Sequence, residues 1–163
     1  MLRLIGAFLV SMMMVVATQS AASAQAPAFE KKNFNYSEWT KGRFSEAVTV
    51  TGPGKMIFLA GIGAEDENGE AGAILHKGDF MGQCRYVFDK IKRMLDRHGA
   101  KLSDIVRTVT YITDVRTQPD LGRCRAEAYG PNGPYPPNTL LTISQLAWPG
   151  MMVEIEVTAI AAQ

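Results

Sequence analysis

PPNTLLTISQLAWPGMMVEIEVTAIA, Pro136–Ala161, decides the fold. In its second half Met151, Val153, Ile155, Val157 and Ala159 alternate with Met152, Glu154, Glu156, Thr158 and Ile160. A period of two sends alternate side chains to opposite faces of a strand, so one face here is apolar and the other carries both carboxylates. Thr139 to Leu146 reads as a further strand, connected through the turn residues Trp148-Pro149-Gly150. An apolar strand face has to be covered by another layer.

That layer is legible upstream. From Asp79 the period changes to three and four: Phe80, Cys84, Val87, Phe88, Ile91, Met94 and Leu95 form one stripe on a long helix, with Asp79 suited to its N-terminus and Gly99 to its C-terminal cap. Lys90, Lys92, Arg93 and Arg97 fall in its second half and read as a solvated, cationic helix end, which the macrodipole favours. Ile105 to Thr113 is dense in β-branched residues and reads as a strand. Pro119 to Tyr129 reads as a shorter helix with proline in its first turn, stopped by Gly130-Pro131. Phe44 to Val50 and Met56 to Gly61 read as a hairpin across Gly52-Pro53-Gly54, and the polar segment from Gln25 to Gly42 adds one edge strand. The sum is an α+β sandwich, a six-stranded mixed sheet with two helices on one face. Its uncovered face still carries Tyr111 and Ile160, which calls for a partner.

Residues 1 to 24 have the form of a signal peptide: Arg3, the apolar run Leu4 to Ala17, and the small-x-small site Ala22-Ser23-Ala24. An uncleaved anchor is the competing reading, although Ser11 and the polar Thr18-Gln19-Ser20 shorten the run below a membrane span. Cleavage leaves a domain of residues 25–163, periplasmic or secreted and free of the membrane. Only Arg3 is lost from the seventeen Lys+Arg, which then equal the sixteen Asp+Glu. Zero net charge argues against nucleic acid as a partner. Cys84 and Cys124, the two cysteines, are either a disulfide or two separate buried thiols. His76 and His98 lack ligand spacing, so no metal is expected.

Four blocks, Phe44–Val48, Met56–Gly61, Gln83–Asp114 (QCRYVFDKIKRMLDRHGAKLSDIVRTVTYITD) and Pro136–Ala161, stand in the order found in the RidA/YjgF family of reactive-intermediate deaminases, which the chain resembles. The family's closing motif runs Pro-Ala-Arg-Thr-Thr-Val, a Pro/Gly turn, and Val-Glu-Ile-Glu-Ala-Ile-Ala. The resemblance implies a chorismate-mutase-like sandwich that trimerises through the open sheet face, with ligand clefts between subunits and no cofactor. It also assigns roles. Glu154 matches the glutamate that positions water against an imine carbon, and Gly61 the glycine whose backbone approaches the ligand. Four positions depart from the pattern: Asn138 stands for the arginine that holds a substrate carboxylate, Ala60 for a serine, Phe44 for a tyrosine, and Leu140 for a small polar residue. An uncharged donor at position 138 forfeits about 1.5–3 kcal/mol toward a carboxylate, about one to two orders of magnitude in affinity.

Each assignment has a plainer competitor. Glu154 can be a solvated strand acid beside Glu156, Asn138 a turn residue, and Trp148 either an apolar cleft wall or a turn aromatic over the sheet edge. The expected function is an exported, trimeric, deaminase-like hydrolase of a small, weakly polar imine, enamine or amide. Arginine-dependent activity is expected to be lost. The alternative is a non-catalytic module that binds a small metabolite in the same cleft.

Overall fold

The computed structural model describes residues 27–131 and 133–163. The expected signal segment, 1–24, lies outside the described residues. The chain runs β1 (Glu30–Phe34), β2 (Ala47–Thr51), β3 (Gly54–Ile62), α1 (Phe80–Arg97), β4 (Ile105–Ile112), α2 (Gln118–Tyr129), β5 (Asn138–Thr142) and β6 (Val153–Ala162).

β6 is central. It pairs antiparallel with β3 on one side and with β4 on the other, and β5 lies parallel to β4 at the edge. As the alternation requires, Val153, Ile155, Val157, Ala159 and Ala161 are buried, while Glu154, Glu156, Thr158 and Ile160 are only half-buried. The buried face meets Cys84, Val87, Phe88, Ile91 and Leu95 of α1 and Leu121 and Cys124 of α2 in one core. Asp79 caps α1 by accepting from the Gly82 amide, and Gly99, just past its end, takes φ +73°. Cys84 and Cys124 are joined in a disulfide that ties α1 to α2 across a separation of 40 residues.

Two features differ from the sequence reading. The six strands form two sheets, because β2 pairs with β1 and not with β3. Only Gly52 and Pro53 separate β2 from β3. Gly52 has φ +80°, and its α-carbon presses on the Ala28 carbonyl, where a Cβ would stand 2.5 Å from the oxygen. Pro53 brings no N–H and cannot take the positive φ a type I′ turn needs at its second position, so the chain bends into the next sheet without folding back. The second difference lies on α1. Lys90, read as a solvated cation, is buried, three residues on from Val87 on the core side of the helix. Gln83 is buried as well, donating to the Gly150 carbonyl at 2.7 Å and accepting from the Met152 amide at 2.8 Å. It fastens the turn before β6 to the helix.

The face of the four-stranded sheet away from the helices carries Met56 (57% exposed), Phe58 (69%) and Leu141 (43%).

Candidate functional site

Strand register divides the expected site residues between two places. On the open face, Glu154 of β6 pairs with Tyr111 of β4, and Glu156 with Val109. The Tyr111 hydroxyl donates to Glu156 Oε1 at 2.8 Å. Gly61 lies against Glu154: a Cβ there would stand 2.0 Å from Glu154 Oε1, so a larger residue would force the carboxyl to shift from this position. Ala60 is its exposed neighbour on β3. Burial, with the Glu65 and Glu156 carboxylates adding to it, holds the Glu154 carboxyl above the usual glutamate range. A half-buried carboxyl raised in this way is suited to proton transfer.

Lys90 positions one of those neighbours. Its ammonium donates to the carbonyls of Gly63 (3.0 Å) and Glu65 (3.1 Å) and pairs with the Glu65 carboxylate at 3.5 Å. Lys90→Met keeps the apolar stem and strips both carbonyls of their donor, so we expect a loss of about 1–3 kcal/mol in denaturant unfolding. A change within error would mean that water replaces the ammonium without penalty.

The second place is on the helix side. Asn138 of β5 pairs with Thr108, which shares its face with core residue Val157. The Thr108 and Thr110 hydroxyls both donate to Asn138 Oδ1, at 2.9 and 2.7 Å. With its oxygen so engaged, the amide presents its Nδ2 donors away from the strand. Asn138, Leu140 and Phe44 line one pocket of about 610 Å³ between β5, the N-terminal half of α2 and the 39–44 turn. Ser45 holds that turn in place by donating through Oγ to the Tyr135 carbonyl at 2.6 Å. Phe44 meets Trp39 edge to face.

The pocket also holds what the sequence reading missed. Its lining includes Arg43, Arg123 and Arg125 and no acidic side chain. Arg125 is only 9% exposed, sits over the Tyr135 ring at 5.9 Å, and leaves Nη2 without a hydrogen-bond partner. Burial lowers its guanidinium from the ordinary value, yet an arginine remains a cation. The charge absent at position 138 is therefore present in the same pocket, on another element. A helix-period rule could have placed Arg125 four residues beyond Leu121, on the same side of α2, but no rule of pattern makes an arginine a core residue.

Trp148 stands apart from both places. Its ring packs on Gly72, where a Cβ would meet it at 2.7 Å, and it is 44% exposed.

The model of the family described as Endoribonuclease L-PSP matches residues 37–161. The chain belongs to the RidA/YjgF family. A RutC family protein of Pyrococcus abyssi is 33% identical over 94 residues, 57% of this chain and 68% of the relative. The 3-aminoacrylate deaminase RutC of Acinetobacter baylyi is 27% identical over 92 residues, 56% of this chain and 71% of the relative. Among solved structures, the Rid protein YyfB of Yersinia pestis is similar with a TM-score of 0.66 and 27% identity, covering 79% of this chain and 97% of that one. RidA/YjgF membership does not account for the arginines of α2.

Proposed function

We propose that the protein is an exported RidA-like homotrimer that handles a small molecule in clefts between neighbouring chains, with Glu154 activating water against an imine or enamine carbon. The observation that carries this reading is the Glu154 carboxyl lodged against Gly61, raised above its usual range, on a sheet face with Met56, Phe58 and Leu141 exposed. Water attack needs a base, and a carboxyl whose proton affinity is raised by burial and by the Glu65 and Glu156 carboxylates takes a proton more readily than a solvated one. Register supports assembly: within one chain Asn138 and Glu154 sit on opposite faces of the sheet, so a cleft that uses both needs a second chain.

The trimer is testable by sedimentation equilibrium on the form that starts at Gln25. Three copies at micromolar concentration are the expected result, because the exposed apolar face calls for a partner and other copies of the chain would cover it. A monomer would remove the cleft.

Turnover is to be read as keto acid or ammonia released from enzymatically generated imines. Toward 2-aminoacrylate-type imino acids we expect little activity, because Asn138 carries no charge and Ala60, Phe44 and Leu140 offer no hydroxyl. Rates equal to those of an arginine-bearing relative would overturn that expectation. A small-molecule role is favoured over RNA cleavage because several cations of α1 are engaged locally: Arg85 pairs with Glu127, and Arg93 with Asp89 and Glu67. No continuous basic track remains there for a phosphate backbone.

A further inference from the structure

Resting on the reading of Glu154 above, we propose that Tyr111 is a positioning residue of the open-face site: its hydroxyl tethers the Glu156 carboxylate beside Glu154 and so sets the strength of Glu154 as a base.

Register supplies the geometry. Glu154 and Glu156 stand two residues apart on β6 and project from the same face of the sheet. Tyr111 pairs directly with Glu154, yet its hydroxyl reaches past that partner and donates to Glu156 Oε1 at 2.8 Å. A cross-strand diagonal of this kind is within the span of an aromatic side chain. That bond, then burial and the charges of Glu156 and Glu154, hold the Tyr111 hydroxyl above the ordinary tyrosine range. It therefore remains a donor throughout the pH range in which a carboxyl titrates.

The tether matters because Glu156 has another place to go. Arg107 pairs with Thr158, two residues beyond Glu156 on the same face; it is exposed and makes no ion pair among the described residues. A Glu156 carboxylate released from Tyr111 is free to turn toward that guanidinium or into water, and its charge then bears less on Glu154. The other charged neighbours are placed without Tyr111. Glu65 is held by Lys90 of α1, and Lys55, the one charged residue of β3, donates to the His98 carbonyl. Burial comes first among the causes that raise the Glu154 carboxyl, followed by Glu65 and then Glu156. Tyr111 governs the last of the three, so its loss is expected to lower Glu154 without returning it to the ordinary glutamate range.

The experiment is a carbon NMR titration of protein labelled at its glutamate carboxyls, with the Glu154 resonance assigned by its loss in Glu154→Gln. Tyr111→Phe keeps the ring and removes only the hydroxyl. It should move the Glu154 midpoint to lower pH. Glu156→Gln still accepts from Tyr111 but carries no charge, and should move the midpoint in the same direction and at least as far. In the double variant the midpoint should match that of Glu156→Gln alone, because Tyr111 acts only through that charge. The pH–rate profile of imine hydrolysis should follow: in Tyr111→Phe the rising limb moves to lower pH and the plateau falls, since a weaker base takes a proton less readily. An unmoved midpoint in Tyr111→Phe would leave Tyr111 a packing residue and overturn the assignment. So would a Tyr111→Phe shift as large in the Glu156→Gln background as in the wild type, which would have the hydroxyl act on Glu154 directly. The titration reads Glu154 without turnover. Hydrolysis with an unmoved midpoint sinks this assignment alone, and midpoints that respond as stated in a protein that hydrolyses no imine sink the hydrolase reading alone.

Discussion

Glu154→Gln is expected to lower imine hydrolysis by about 10²–10⁴-fold, the usual contribution of a positioned general base. The amide keeps the shape of the carboxyl against Gly61 and removes only its capacity to take a proton. Stability gives the control, and its sign is fixed by the direction of the shift. A carboxyl whose folded value is raised is penalised in its ionised form, so it opposes folding increasingly as pH rises from the ordinary glutamate range through the raised value. Glu154→Gln should therefore match or exceed the wild type in thermal stability at neutral pH. The wild-type rate should rise with pH along a limb displaced upward from that ordinary range. A variant that is stable and fully active would show that Glu154 is a strand acid with no part in turnover.

Reducing the Cys84–Cys124 disulfide is expected to lose roughly 2–4 kcal/mol of unfolding free energy, toward the upper end because about 40 residues lie in the closed loop. Both cysteines are fully buried between α1 and α2, so the thiols left behind still pack, and the effect falls chiefly on the unfolded chain. Urea unfolding with and without reductant measures it. Thiol titration of the denatured, unreduced protein should find no free sulfhydryl. Two reactive thiols per chain, or identical midpoints in the two titrations, would show that the bridge does not form.

The open-face half of the site was more legible than the helix-side half. Glu154 occupies a position whose requirement is local, a strand residue on the polar face, and the fold sets Gly61 against its carboxyl. Asn138 was legible as an uncharged donor, but not which of its groups the fold would occupy. Its acceptor is occupied by Thr108 and Thr110, thirty and twenty-eight residues away in the chain, and only that pairing leaves the N–H₂ as the group it has free to offer. Trp148 was legible as a turn aromatic, and its contact with Gly72, seventy-six residues away in the chain, was not.

By itself the sequence determined what repeats within a few residues. The two-residue alternation of β6, the three- and four-residue stripe of α1 and its Asp79 cap are properties of a chain segment, because strand and helix periods assign faces without reference to anything distant. Tertiary structure alone decided which strand β2 would take as its partner, that Lys90 and Gln83 would be drawn into the core to satisfy distant backbone groups, and that Arg125 would be buried opposite Asn138. Those outcomes depend on which polar groups are left to satisfy when remote elements close together, and that remainder is a sum over the whole fold.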